Sequence, residues 1–316
     1  MDRLTLLQTV RDVLEQAGFQ LTDICSFRTI GFDFIARRDK TLLIVKVLTN
    51  VDSLSEEVAN DLRSLASVLK ASLLLVGERD GASHLDDDVV YYRYGVQTIT
   101  PATLRNHLVE GVPIQVYAAP GGFYVPLNGK RVKEVRERKN LSRGDLARLI
   151  RVSRRAVRMY EEGMDARVEI AAVIEEVLHP SVLTPVDILK PVDPIKIEKN
   201  IREIPWLYGF QREVLSLIEK IGYHVIPLRR CPFEAVSKER KRLFLTGVHP
   251  YNASLKERAR VVGNIARITK KHAVIFTDKR VIGERTIEGT PTIGQHELKR
   301  VRDSYDIFDM IIEREN

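Results

Sequence analysis

The sequence predicts a multidomain chain, in which two repeated α/β domains, each a mixed sheet with helices, flank an all-α domain. Three observations lead to this prediction. The chain has 316 residues, more than one ordinary hydrophobic core accommodates. A long segment near one end recurs near the other at a constant spacing. Between the two copies, short helical patterns replace the strands and carry the excess of positive charge.

The repeat is clearest where residues 32–58 align with residues 233–259, without a gap and at an offset of 201. Phe32 falls on Phe233, Asp33 on Glu234 and Val47 on Val248. The match extends outward in three further pairs, which are 71–79 with 272–280, 6–19 with 210–223, and 96–108 with 290–302. Repetition of this length predicts a duplicated domain, with copies at residues 1–120 and 200–316.

Each copy predicts the same series of elements. A helix comes first, then two strands, at 31–37 and 41–48 or at 233–237 and 242–248. A helix follows, opened by Ser53 or Ser254 as its expected cap, and then come a short apolar strand and a final strand that leads into a helix. Two strands, a helix and a further strand predict a mixed sheet with helices packed on it.

The middle domain is predicted at residues 126–190. Residues 114–127 alternate in polarity around Pro-Gly-Gly, which indicates a hairpin before it. A first helix is expected at 130–140, a second after Ser142, and a third from Ser153 to Gly163, with a last helix at about 165–178. Asp145 stands three residues after Ser142, which is a capping-box spacing.

Positive charge is concentrated in this middle segment. The whole chain carries a net +7, whereas residues 129–158 hold 12 Lys or Arg and 3 Asp or Glu, a net +9. The remainder is therefore slightly negative, and the pattern is typical of a module that binds a polyanion. The sequence contains no apolar run of about 18 residues, so it predicts no membrane span. The first residues also lack the apolar core of a signal peptide. A cytoplasmic protein is therefore expected. The two cysteines lie outside any C-x-x-C pair and are expected to be free thiols.

The string VRERKNLSRGDLARLIRVSRRAVRMYEEG, residues 135–163, resembles the helix-turn-helix of the lambda-repressor and Cro superfamily. The resemblance covers residues 130–180, and its core positions are held by Leu141, Leu146, Ala147, Ile150, Val152, Val157 and Tyr160. It implies that residues 154–162 form a recognition helix, which lies in the major groove of double-stranded DNA.

The resemblance also implies which residues touch the DNA. The exposed half of the recognition helix carries Arg154, Arg155, Arg158 and Met159. Arginine reads guanine through two hydrogen bonds, which makes these side chains the expected base readers. Arg143 is expected to contact a phosphate, and Ser153 to cap the helix or to reach a phosphate. Some helix-turn-helix folds bind proteins instead, but the net +9 favours DNA.

The flanking copies resemble the restriction-endonuclease-like fold, whose active members place an acid on one strand and acid-x-Lys on the next. Asp33 fits the first position, but the triplet is Ile44-Val45-Lys46; in the second copy Glu234 is followed by Leu245-Thr246-Gly247. A Mg²⁺ site needs carboxylate anchors, so no catalytic or metal-binding residue is assigned and no enzyme activity is expected. The alternative is a metal-dependent DNA-cleaving or DNA-processing enzyme that uses Asp33, Lys46 and a relocated Glu56 or Glu57.

In its overall order the chain resembles archaeal helix-turn-helix transcriptional regulators. The hypothesis is therefore a sequence-specific regulator that binds double-stranded DNA. A homodimer is expected, because two-fold dimers read half-sites about 34 Å apart. No cofactor is expected, since no glycine-rich loop has the spacing of a phosphate-binding motif. A ligand sensor stays open as a third hypothesis, although nothing in the sequence supports a small-molecule effector.

Overall fold

The computed structural model describes residues 2–25, 27, 29–195, 201–278 and 285–315. The predicted alignment of 71–79 with 272–280 therefore lies partly outside the described residues. The helices run in chain order as follows: α1 Arg3–Gln16, α2 Glu56–Leu69, α3 Pro101–Leu108, α4 Gly129–Arg138, α5 Arg143–Leu149, α6 Arg154–Glu161, α7 Val168–Val177, α8 Gly209–Lys220, α9 Leu255–Thr269, α10 Gln295–Leu298 and α11 Ser304–Glu315.

The strands fill the regions where alternating or continuous apolar runs predict them. They are β1 Gln20–Leu21, β2 Phe34–Arg38, β3 Thr41–Asn50, β4 Ser72–Asp80, β5 Ser83–His84, β6 Val89–Arg93, β7 Val96–Ile99, β8 Val116–Ala119, β9 Gly122–Val125, β10 Ala166–Arg167, β11 His224–Pro227, β12 Ala235–Glu239, β13 Arg242–Val248, β14 His272–Thr277, β15 Thr286–Ile287 and β16 Thr290–Gly294. Sheets of mixed direction with helices are thus present, as expected.

The chain forms two compact units. The first unit comprises Met1–Ala17, Val47–Leu54 and Leu74–Ile188, and the second comprises Gly18–Lys46, Ser55–Leu73 and Leu189–Asn316. Strands β3 and β4 each run from one unit into the other. The boundaries 1–120, 126–190 and 200–316 stay a prediction.

The strand order is the same in the two regions that the sequence aligns. Near the N-terminus it is β1-β2-β3-β4-β7-β6, and near the C-terminus it is β11-β12-β13-β14-β16-β15. In both regions the first three strands are antiparallel neighbours. In both, a parallel pair follows, β4 with β7 or β14 with β16, and the last strand is antiparallel.

The caps of the helices after the hairpins differ from the prediction. Ser53 does not cap α2, because residues 51–53 form a 3-10 turn and the extended Leu54 carries the chain beyond it. Ser55 is the cap instead, and its hydroxyl accepts a hydrogen bond from the Val58 N–H at 3.3 Å. Ser254 does precede α9, but its hydroxyl donates to the Asn252 side chain at 2.7 Å and caps no helical N–H.

The helical region has its own hydrophobic core, which includes the positions expected from the sequence. Leu146, Ala147, Ile150, Val157 and Tyr160 are buried in it, and Leu141 and Val152 pack against it half-buried. The expected helix at 165–178 begins only at Val168. Residues 166–167 form β10 instead, because they pair with Val125 and Tyr124 of β9.

Candidate nucleic-acid interface

A serine cap fixes the start of α5 and another fixes the start of α6. Ser142 and Asp145 make the expected capping box: the serine hydroxyl accepts from the Asp145 N–H at 3.1 Å, and the Asp145 carboxylate accepts from the Ser142 N–H at 3.0 Å. The Ser153 hydroxyl accepts from the Ala156 N–H at 3.1 Å and so caps α6. Arg151 closes the turn in the left-handed region, with φ of 54°. The start of α6 therefore has a defined position.

Helix α6 divides into a buried face and an exposed arginine face. Val157 and Tyr160 are buried in the helical core, whereas Arg154, Arg155, Arg158 and Met159 are exposed. The Arg158 Nε donates to Glu162 at 2.8 Å. Among the described residues, the side chains of Arg154 and Arg155 make no hydrogen bond or ion pair, which leaves both guanidinium groups available to a ligand.

A buried glutamate joins the three helices. The Glu161 carboxylate is only 3% exposed and accepts from the Arg136 Nε at 2.6 Å and from the Arg143 Nε at 2.7 Å. Arg136 also donates to the Leu141 carbonyl at 2.8 Å. A buried carboxylate with two guanidinium partners fixes the packing of α4 and α5 against the end of α6. The Nε of Arg143 is thus engaged within the protein, and its contact with a phosphate stays a prediction.

This network is not predicted by the sequence. Its members stand 18 and 25 residues apart, a spacing that matches no local pattern. The only signal was a glutamate inside the arginine-rich string, which by itself looks like part of a solvated surface.

The β8–β9 hairpin is attached to the segment that follows α6. Strand β9 pairs with β10, and the Tyr117 hydroxyl donates to the Asp165 carboxylate at 2.6 Å. Burial, then the hydrogen bond with Asp165, raises the pKa of Tyr117 well above its ordinary value, so the hydroxyl stays protonated as a donor. The expected hairpin at 114–127 is therefore present and holds the chain just beyond the predicted recognition helix.

In the first copy, the acid at the nuclease-like position, Asp33, forms an ion pair with Lys46. Asp33 is 3% exposed, and its carboxylate lies 3.6 Å from the Lys46 ammonium. Ile44 is fully buried at the position where active members of the fold carry the second acid. Of the two glutamates considered as substitutes, Glu57 pairs with Arg229 and, at 3.2 Å, with Arg230. Within the described ranges, no group of three His, Cys, Asp or Glu could hold a metal ion.

The corresponding acid in the second copy has different neighbours. Glu234 accepts from the Val248 N–H at 2.7 Å and from the Gln211 side chain at 3.2 Å, and its carboxyl lies 3.4 Å from the His249 Nε2. Burial raises the pKa of Glu234 to about 8 and lowers the pKa of His249 to about 4. Both groups are therefore neutral near pH 7. The sequence pattern predicts the position of Glu234 but not its partners.

Comparison with known families agrees with these two regions. Residues 3–114 match the model of the PD-(D/E)XK superfamily domain, and residues 132–179 match the model described as helix-turn-helix. The chain is thus a helix-turn-helix protein that also carries a PD-(D/E)XK-like domain.

Full-length relatives define the family more closely. The chain is 34% identical to a protein of Natronomonas pharaonis over 99% of both chains, 35% identical to one of Methanosarcina barkeri over 99% of this chain and 98% of the other, and 36% identical to one of Archaeoglobus fulgidus over 98% and 97%. Each is named "Putative HTH-type transcriptional regulatory protein". The chain belongs to this archaeal family of HTH-type transcriptional regulatory proteins.

No solved structure matches the chain. In the described part of the chain, no helix is both long enough and apolar enough to cross a membrane.

Proposed function

We propose that the protein is a transcriptional regulator that binds specific sequences of double-stranded DNA, with α6 in the major groove. The observation that carries the proposal is the exposed face of α6, where Arg154 and Arg155 stand beside the cap at Ser153 and have no side-chain partner among the described residues. Guanidinium groups at the start of a recognition helix can each bind the O6 and N7 of a guanine. The family membership and the net +9 of residues 129–158 support the same function.

We also propose that the protein acts in the cytoplasm as a homodimer, held together by the flanking domains. A single recognition helix covers only a few base pairs, so two copies are needed to define a longer site. The DNA site is then expected to be a palindrome with half-sites about 34 Å apart. Arg143, Ser153, Arg158 and Met159 complete the proposed contact surface around Arg154 and Arg155.

Selection of bound fragments from random DNA tests this proposal. The wild-type protein should enrich a palindromic sequence, and its affinity should fall steeply as salt increases. Changing Arg154, Arg155 and Arg158 together to alanine should abolish the enrichment, because each good guanine contact supplies about 1–3 kcal/mol of discrimination.

A matched control separates base reading from the simple loss of charge. Changing Lys241, Lys256 and Arg260 together to alanine removes the same three positive charges from exposed positions in the second unit. This control should still enrich the palindrome. If the α6 variant enriched the same sequence as the wild type, the placement of α6 in the groove would be wrong.

A second candidate function is metal-dependent DNA cleavage or processing. It is supported by the PD-(D/E)XK match over residues 3–114 and by the Asp33 carboxylate 3.6 Å from Lys46. We expect DNA to remain intact with Mg²⁺ or Mn²⁺, because a buried isoleucine takes the place of the second acid. Cleavage that disappears in Asp33→Ala but persists in Asp39→Asn, a change at the exposed turn of the same hairpin, would establish the second candidate instead.

A further inference from the structure

The first unit contains a pocket that the proposed DNA contact does not use. It has a volume of about 360 Å³ and opens where the ends of β4 and β6 meet the β8–β9 turn. Val51, Leu85 and Thr98 contribute apolar or small surfaces, and Tyr91, Arg93 and Asp80 contribute an aromatic ring and two opposite charges. Pockets near this size accommodate small organic ligands.

The aromatic wall of the pocket is held in place. Tyr91 and Arg93 alternate along β6 and so share one face, and Tyr91 stands opposite Thr98 of β7. The Tyr91 hydroxyl accepts from the Asp86 N–H at 3.0 Å and donates to the Asp86 carboxylate at 3.1 Å. Its ring meets Phe123 edge to face at 6.4 Å. The ring therefore offers a fixed apolar surface to a ligand.

The two charged groups each have hydrogen-bonding capacity to spare. Arg93 pairs with Asp52 through one terminal nitrogen, its side chain is 38% exposed, and its other terminal nitrogen makes no hydrogen bond with any described residue. Asp80 is exposed, and its carboxylate makes no hydrogen bond or ion pair with any described residue. An arginine guanidinium presents several N–H donors, so the pocket favours a ligand that provides a carboxylate or another anionic acceptor there.

We propose that this pocket binds a small zwitterion of the amino acid class. Its carboxylate would accept from the exposed part of the Arg93 guanidinium, its ammonium would meet the Asp80 carboxylate, and its side chain would pack on the Tyr91 ring. A purely cationic ligand would offer the Arg93 guanidinium no acceptor. A purely anionic ligand would approach Asp80 without neutralising it, so neither satisfies the pocket as well.

A second step, which rests on the proposed DNA-binding function, makes the zwitterion an effector. Residues 117–120 line the pocket, and the Tyr117 hydroxyl holds Asp165, just beyond α6. Binding against this wall changes the surroundings of the strand that carries Tyr117. The ligand should then change the affinity for the selected DNA site by about fivefold or more, which is the usual range of coupling between two sites.

Thermal unfolding of the full-length protein tests the binding step without DNA. Each standard L-amino acid is added separately at millimolar concentration, alongside its decarboxylated amine and its deaminated carboxylic acid. At least one amino acid should raise the melting temperature, because a ligand that binds only the folded state stabilises it. The corresponding amine and carboxylic acid should give no such rise. If no amino acid raises the melting temperature, the proposal is overturned.

Variants then locate the site. Asp80→Asn and Arg93→Gln should each remove the rise in melting temperature, whereas Glu110→Gln, an exposed acid elsewhere in the first unit, should keep it. Asp80 is exposed, so its variant is expected to fold even if Arg93→Gln does not. A rise that persists in Asp80→Asn would show that the ligand binds elsewhere.

The coupling is tested separately with Asp165→Ala, which removes the acceptor of the Tyr117 hydroxyl and leaves every residue that lines the pocket unchanged. This variant should still bind the amino acid but should lose the fivefold effect on DNA affinity. An effect of wild-type size in Asp165→Ala would contradict the route through Asp165. If the wild type bound the amino acid but selected no DNA sequence, the proposed DNA-binding function would be wrong, whereas the proposed amino acid site would be supported.

Discussion

Two corresponding hairpins in the second unit carry a carboxyl group at the same backbone position, Asp33 in the first and Glu234 in the second. The surroundings of the two carboxyl groups differ. The Asp33 N–H donates to the Val45 carbonyl at 2.9 Å, and the Glu234 N–H donates to the Thr246 carbonyl at 2.9 Å. The register is therefore the same at an offset of 201. In the first hairpin a lysine lies 3.6 Å from the carboxylate, whereas the second hairpin has Gly247 where that lysine stands.

The acid of the second hairpin lacks that lysine and is neutralised in another way. Glu234 is buried, and burial raises its pKa to about 8, although the hydrogen bond from the Val248 N–H and the charge of Arg258 lower it. A proton on Glu234 therefore replaces the neutralising role of the lysine. The same backbone position can therefore hold an acid in two ways, by pairing it with a cation or by protonating it.

Removal of Lys46 from the first hairpin should give the largest loss of stability. Lys46→Ala takes the cation away from a carboxylate that is only 3% exposed. Breaking a buried ion pair from one side destabilises strongly, so we expect a loss of about 3 kcal/mol in the free energy of unfolding, measured by urea denaturation. The double variant Asp33→Asn with Lys46→Met should recover part of the lost stability, because it removes both charges together.

Lys40→Ala is the matched control, because Lys40 is exposed at the turn of the same hairpin. Its loss of stability should be within a few tenths of a kcal/mol. If Lys46→Ala cost no more than Lys40→Ala, the two hairpins would not differ in the way proposed.

Because Glu234 in the second hairpin is protonated in the folded state, the stability of the protein should depend on pH. Glu234 has a folded pKa of about 8 against an ordinary value of 4.5, so its stabilising contribution is complete below pH 4.5 and is lost as pH rises to 8. His249 has a folded pKa of about 4 against 6.5, because burial and then Arg258 disfavour its charged form, so its contribution is lost as pH falls from 6.5 to 4.

These two slopes oppose each other between pH 4.5 and 6.5, where the folded state gains no net proton relative to the unfolded state. Only the Glu234 slope remains between pH 6.5 and 8. The wild type should therefore lose about 2 kcal/mol of stability over that interval, measured by denaturant unfolding at each pH. Glu234→Gln should remove the loss, and Glu219→Gln, at an exposed position of α8, should keep it. A difference curve between wild type and Glu234→Gln that is flat from pH 6.5 to 8 would contradict the neutral glutamate.

The sequence predicts the hairpins and the helix-turn-helix because their signals are local. Alternating residues, a serine cap and a glycine at a helix end act over a few positions, and the structure has them at Ser142 and Ser153. The cap of α2 was misplaced by two residues, since Ser53 and Ser55 both have the required hydroxyl and only the backbone turn decides between them.

Contacts between distant positions could not be predicted. Nothing in the sequence shows that Glu161 is buried between Arg136 and Arg143, or that Gln211 reaches Glu234. The pocket at Tyr91 is formed by residues at the ends of β4 and β6 and in the β8–β9 turn. Its presence therefore cannot be predicted from any one segment of the sequence. The missing acid at Ile44, by contrast, was visible at once, because it concerns the identity of one residue in a known pattern.

The smallest expected effect concerns a pair of hydroxyls that the second hairpin has and the first lacks. Ser237 and Thr246 are fully buried and hydrogen-bond each other at 2.7 Å, whereas the aligned residues in the first hairpin are Ala36 and Val45. Thr246→Val alone should cost about 1 kcal/mol in the free energy of unfolding, because it leaves the Ser237 hydroxyl without its partner.

Replacing both residues should cost less than replacing one. Ser237→Ala with Thr246→Val reproduces the apolar pair of the first hairpin, and removing both partners together is nearly neutral. A double-mutant cycle measured by urea denaturation gives the coupling between the two hydroxyls directly. If the double variant lost as much stability as the two single variants added together, the hydroxyls would act independently, and the apolar pair of the first hairpin would not be an equivalent solution to the same packing.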